Sequence, residues 1–582
     1  MATEHLLEEF PPVTTESWEE MIRRDLKGAD YAKRLVWQTP EGLAVKPYYR
    51  AEDIACLEYP TAPPGTFPYA RGARFDGDWR IREEINGPDP ETANRAAQNA
   101  VIAGAEEIAF RGLPVANPSD LGMLLVNLQE TPIHFEDGGE SLIRLLAERL
   151  ARHLRPSPVS TGLSPFANLD FAAEIIAADI PALIPFTIHG EEFEESGANS
   201  VEVIGFSLAA GIDFLAAMQN RGVAVDRASA SVVFSFAVGG SFFLEIAKLR
   251  AFRTLWARAV ESFGGSRESA RARIHARTSR WNKTIFDPYV NILRGTTEAM
   301  SAIFGGADSI TVAPFDECYK RPDEASRRLA RNTQIVLKHE ALFSRVADPA
   351  GGSYAIEAIT DSIAREAWKL MQRVEAAGGY QEARADGLIR AALQQSLDAR
   401  EKAVTTRRRI FTGTNQHANP SETALDRIDL SRVRAFDRAT AGYEELRLRT
   451  ERHVRETGKP VRVLLAEIGD ARMRAARSNF AANFFACAGF NIVAQQFNSA
   501  SEIAAREFDL IVLCSSDAEY LALTCDLLPA LKALGRDTPV VIAGPPDSAG
   551  QLIAAGIADF VHLRSNPIEV LTKWQQRLGI KG

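Results

Sequence analysis

The chain has 582 residues, 46% of them hydrophobic and 25% charged, which is enough to bury several cores and to divide into two or more domains. A formal net charge of −9, from 67 basic and 76 acidic residues, offers no overall basic footprint for nucleic acid or an anionic membrane surface. Five cysteines (Cys56, Cys318, Cys487, Cys514 and Cys525), odd in number and without a CxxC pair, indicate neither a disulfide framework nor a metal site.

The start, Met1 to Phe10, is acidic and amphipathic and lacks the basic and apolar regions of a signal peptide. No apolar run is expected to approach the roughly 20 residues of a membrane span, so the default location is cytoplasmic. A helical pattern over Ser17–Gly28 and the breaker run Pro60–Gly65 mark residues 1–64 as an arm, a candidate intersubunit element or a strap on its own domain. From 65 to 400, short β-like runs alternate with longer helical patterns: Glu107–Arg111, Ala182–Ile188, Ser231–Phe236, Arg273–Arg277 and Ser309–Val312 as strands, Ser241–Trp256 and Tyr289–Phe304 as helices. Alternation of this length favours an α/β fold of the (β/α)8 TIM-barrel type. Residues 401–459 change character and read as a linker. Strand patterns then return at Val461–Ala466, Leu510–Leu513 and Val540–Ala543, with a helix through Phe485, so 460–582 reads as an open, flavodoxin-like α/β domain.

In both fold types, reactive groups belong at the carboxyl ends of strands. The barrel's richest such stretch is Ile188-His-Gly-Glu-Glu-Phe-Glu-Glu-Ser-Gly-Ala198, where His189 is a candidate general acid with Glu191, Glu192, Glu194 and Glu195 as partners. The same glutamates suit the first turn of a helix, where the backbone dipole favours anions. His275 lies mid-strand between two arginines and is either an anion-orienting group or a hydrogen-bonded core histidine. No GxxxxGK[ST], GxGxxG or HExxH motif is present, and no histidine occurs between His453 and His562.

Four segments, Asp287–Arg294, Glu298–Gly306, Ala330–Ile335 and Val346–Tyr354, resemble the barrel of methylmalonyl-CoA mutases. Phe67–Gly72, with Trp79 and Arg82 beyond it, resembles the stretch leading into that barrel, and the tail is similar to the family's cobalamin-binding domain. The resemblance implies adenosylcobalamin chemistry that interconverts methylmalonyl-CoA and succinyl-CoA, with the protein positioning and shielding the cofactor. It also shows where this chain departs. The family's DxHxxG cobalt loop corresponds to Asp470–Arg477, with Arg472 at the aspartate, Arg474 at the histidine and Arg477 at the glycine. A guanidinium has no lone pair to donate to a metal. Pro545 stands in the family's later Gly-Gly turn, Glu192 replaces a substrate-contacting histidine, and Asp308 and Thr311 match a glutamine and a histidine. The family's tyrosine-containing segment after Arg-Gly is shortened to Ala73–Asp78.

The resemblance therefore implies a small, non-catalytic subunit with no catalytic, cofactor-binding or metal-ligating residues of its own. Its expected partner is a catalytic large subunit carrying the adenosylcobalamin, with neither nucleic acid nor membrane as a partner. The alternatives are an active mutase for a different acyl-CoA, using His189 or His275, and a module that holds CoA without reacting it.

Overall fold

The computed structural model describes residues 13–57, 59–153 and 155–581; the acidic start Met1–Phe10 lies outside the described residues. The arm's helix α1 (Thr15–Asp25) is started by Thr14, whose hydroxyl accepts from the backbone N–H of Ser17. None of its residues is buried. Trp18 stacks on Tyr48 with ring centroids 5.3 Å apart, and Trp37–Gln38 pairs antiparallel with Ala44–Val45.

Eight parallel strands form the barrel: β1 (Arg80–Asn86), β2 (Glu107–Arg111), β3 (Ile133–Phe135), β4 (Val159–Thr161), β5 (Leu183–Ile184 and Phe186–His189), β6 (Val232–Val238), β7 (Ile274–Thr278) and β8 (Ser309–Thr311). β8 pairs back onto β1 with Ile310 opposite Ile81, so the ring closes. β5 is broken at Pro185, which has no N–H to give a ladder. Its first half pairs with β4 and its second half with β6. The eight strands expected of a TIM barrel are present.

Helices wrap this ring: α2 (Gly190–Glu195), α3 (Ser200–Asn220), α4 (Phe242–Ser262), α5 (Val290–Phe304), α6 (Glu324–Ile335), α7 (Tyr354–Ala376) and α8 (Leu388–Thr405). α3 begins with a capping box in which Asn199 and Glu202 satisfy each other's backbone N–H groups. At 21 residues and a mean hydropathy of 1.7, α3 is apolar enough for a membrane span, contrary to the sequence expectation. It is a core helix instead, with 72% of its most apolar stretch buried inside the fold. A β-carbon on its Gly211 would lie 2.5 Å from the Trp256 ring, so glycine there permits α4 to pack close. Trp256 in turn meets Phe234 of β6 edge-on at 4.7 Å.

The stretch expected as a linker, 401–459, is built into the fold. It holds α9 (Leu430–Ala435) and α10 (Ala441–Thr457), and its Phe411, Tyr443 and Leu446 share one apolar core with Trp281 of the barrel and Val463, Leu465 and Val512 beyond. Its composition is polar partly because it buries paired charges, such as Arg438 with Glu444 at 2.7 Å. The last domain has five parallel strands, β9 (Arg462–Glu467), β10 (Asn491–Gln496), β11 (Leu510–Cys514), β12 (Val540–Ala543) and β13 (Asp559–Val561), with α11 (Ala471–Ala486) after β9. Their order, β10-β9-β11-β12-β13, is that of flavodoxin-like sheets. All five cysteines are unpaired.

Candidate functional site

Inward-facing positions of a barrel strand alternate with outward ones, and in β1 the inward set is Arg80, Arg82, Glu84 and Asn86. These polar residues place a charge network where the barrel axis runs. Arg277 of β7 reaches Glu84 at 2.8 Å and Glu317 at 2.8 Å. Arg111 of β2 lies 3.8 Å from Glu84 and 3.6 Å from Glu136, and His134 is 3.7 Å from Glu136. Nearer the base, Glu107 accepts from both Arg80 and Arg82. Burial works against the Glu84 charge, but Arg277 and Arg111 outweigh it and hold the carboxyl well below its usual range. Glu136, buried and facing the Glu84 charge, is instead raised.

The three histidines in this region are all engaged. Nδ1 of His275 and Ser309 Oγ are 2.8 Å apart, as are Nδ1 of His134 and Ser160 Oγ. Burial, and then the charge of Arg82, push both imidazoles well below their usual range, so each is neutral. His189, at the start of α2, contacts Glu191 at 2.9 Å and the carbonyl oxygen of Gly162 at 2.6 Å. Burial opposes its charge, but the Glu191 hydrogen bond and charge prevail and raise it to about 9. It is thus an imidazolium with both N–H groups committed. Glu194 is buried between Ser279 and Arg400, and Glu195 pairs with Arg280 at 3.1 Å. Glu192 is exposed.

The second domain's crevice lies beyond β9 and β11, where the strand order reverses. Asp470 caps α11 by accepting from the N–H of Met473 at 2.8 Å. Arg474 donates to the carbonyl of Gly469 at 3.1 Å, and Arg472 is exposed on the first turn. Glu519 accepts from Ser515 at 2.8 Å, Ser516 at 2.6 Å and the N–H of Asp470 at 3.2 Å. The Ser516 and Ser515 hydrogen bonds hold its carboxyl down at about 2. Arg477 pairs with Asp517 at 2.9 Å and lies so close to Gly544 that a β-carbon there would meet its guanidinium. Side chains of this chain therefore bond across the loops that border the crevice. Among the described residues, no group of three or more His, Cys, Asp or Glu is placed to hold a metal ion.

The family model for methylmalonyl-CoA mutase matches residues 146–488. A methylmalonyl-CoA mutase small subunit of Porphyromonas gingivalis is 36% identical over 99% of each chain, and one of Streptomyces virginiae is 32% identical over 99% of this chain and 98% of its own. The chain belongs to the methylmalonyl-CoA mutase family. A methylmalonyl-CoA mutase of Cereibacter sphaeroides is 30% identical over 74% of this chain and 68% of its own length.

In this mutase-family chain, the positions singled out from sequence fall into three places. Arg472 and Arg474 lie on the first turn of α11, and Pro545 is exposed in the loop after β12. Glu192 is in the first turn of α2 beside the barrel mouth. Asp308 and Thr311 lie at opposite ends of β8. Asp308, at the base, accepts from the N–H of Ile274 at 2.8 Å, whereas Thr311 is buried with its hydroxyl unpartnered. The ring of Glu84, Arg111, Glu136, Arg277 and Glu317 was not singled out from sequence. Its one local signal is the charged alternation of Arg80-Ile-Arg-Glu-Glu-Ile-Asn86, which suits a strand whose inner face is ionic.

Proposed function

We propose that this chain is the small, structural subunit of a heterodimeric, adenosylcobalamin-dependent methylmalonyl-CoA mutase, and that it binds no cobalamin and performs no chemistry itself. A catalytic large subunit of the same family carries the cofactor and interconverts methylmalonyl-CoA and succinyl-CoA. The observation that carries this reading is the barrel interior, spanned by Arg277 and its paired glutamates where an acyl-CoA would have to react. The relatives named small subunits, similar over nearly the whole chain, support it.

The residues that would meet cobalamin do not suit it. By the family resemblance a protonated guanidinium stands in the place of the ligating histidine, and Arg477 and Glu519 are engaged with Asp517 and Ser515 at the adjoining loops. In the proposed complex this subunit keeps the family's scaffold as a docking surface, with the arm 1–64 as an intersubunit element, and gives a pseudo-symmetric pair. The test adds adenosylcobalamin and both acyl-CoA esters to the purified chain, alone and with a co-expressed large subunit. The expected result is no spectral change of the cobalamin and no turnover by the chain alone, with stable co-purification of the pair. Turnover by the chain alone, on these or other acyl-CoA esters, would overturn the proposal in favour of an active mutase.

A further inference from the structure

A cavity of about 310 Å³ opens at the rim of the barrel mouth, between the ends of β1 and β8 and the helices α6 and α9. That volume is at the low end of small-molecule pockets. Six arginines and three glutamates line it. The glutamates are already matched: Glu83 by Arg331 at 2.5 Å, Glu84 by Arg277 at 2.8 Å, and Glu317 by Arg277 at 2.8 Å. Of the arginines, Arg321, Arg327 and Arg432 have no carboxylate at ion-pair distance among the described residues. Arg327 and Arg432 donate only to backbone carbonyls, of Pro322 at 3.1 Å and Glu317 at 3.0 Å.

Two further donors are unsatisfied at the same wall. Thr311 is 2% exposed and its hydroxyl has no hydrogen-bond partner, and Nε of Arg331 is likewise buried without one. A buried donor left unpaired costs about 1–3 kcal/mol, so the wall is arranged for an acceptor. Guanidinium groups match the planar or tetrahedral oxygens of carboxylate and phosphate. Ile85, Val312 and Phe436 give the cavity an apolar side, beside the amides of Asn86 and Gln334.

We infer that this cavity binds a small organic anion with a carboxylate or phosphate head and a short apolar body. The head meets Arg321, Arg327 and Thr311, and the body lies on the apolar wall. The cavity borders the ionic ring at Glu84, Arg111 and Glu317, but the inference concerns binding of an anion and not mutase chemistry, so its failure leaves the subunit reading standing.

The test is calorimetric titration of the full chain with hexanoate and with butyl phosphate, using inorganic phosphate at matched ionic strength as the control. One of the two organic anions is expected to bind saturably, and which one does so identifies the head. Binding is expected to weaken at least about tenfold in an Arg321→Gln/Arg327→Gln variant, the scale of one lost charge-assisted hydrogen bond. Thr311→Val, which removes a buried hydroxyl without changing charge, should also weaken it, and thermal midpoints establish that both variants fold. Absence of saturable binding, unchanged affinity in the arginine variant, or inorganic phosphate binding as tightly as the organic anions would each overturn the inference.

Discussion

Arg277 is the residue on which the barrel's interior charge balance rests, since it bridges Glu84 and Glu317 with almost no exposure of its own. Arg277→Met should destabilise the fold by about 3–5 kcal/mol in chemical denaturation, because Glu84 and Glu317 lose the buried guanidinium they share and keep only Arg111 at 3.8 Å and Arg280 at 3.2 Å. Replacing Glu84 and Glu317 by leucine in the same chain should recover most of that loss, since Arg111 retains Glu136 and Arg280 retains Glu195. Failure of the triple variant to recover would mean that packing, not charge, dominates here. His189 supplies a pH-dependent counterpart. Its folded pKa of about 9 lies above the unfolded value of about 6.5, so its contribution is full below the latter and is lost as pH rises through the former. The stability difference between the parent chain and His189→Gln should therefore be largest, up to roughly 3 kcal/mol, at pH 6, and should shrink toward pH 10.

Among elements, the strands that stand out in sequence are those with apolar runs, such as Val232–Val238 and Leu510–Cys514, whose residues are buried throughout. β1 was hidden by its inward arginines and glutamates, and β3 and β4 by having only three residues each. β10 and β13 are edge strands with weaker apolar patterns, which leaves them without a clear period in the sequence. Arg472, Arg474 and Arg477 were legible as part of the helix that follows the last domain's first strand, because they lie in one local stretch of sequence. The ion network was not, because Arg277 and Glu84 are 193 positions apart and only closure of the ring brings them together. The stretch 401–459 shows the same limit. Trp281 of the barrel lies between the guanidiniums of Arg400 and Arg409, at 3.9 Å and 4.6 Å from the ring centre, and meets Phe411 edge-on. Trp281→Ala should cost about 3–5 kcal/mol. It should also split a single calorimetric transition into two, as the barrel and the last domain lose their shared core.

At the scale of the whole molecule, exposed apolar side chains are spread from Phe75 and Ile102 to Leu563, and the arm carries its own group of them. Trp18 is 48% exposed, Met21 61% and Trp37 47%, on a segment whose own helix buries nothing. Large apolar groups grouped on a polar chain mark an interaction site more often than single ones do. If the arm clasps the large subunit, Met21→Glu with Trp37→Glu should leave the isolated chain's unfolding free energy within about 0.5 kcal/mol, because neither side chain is buried. The same pair should weaken association with the large subunit at least tenfold, or about 1.4 kcal/mol, since two carboxylates would be carried into an apolar contact. A titration of the two subunits by native mass spectrometry reads both populations directly. Unchanged affinity, with a lowered thermal midpoint of the isolated chain, would assign the arm to its own barrel and move the interface elsewhere.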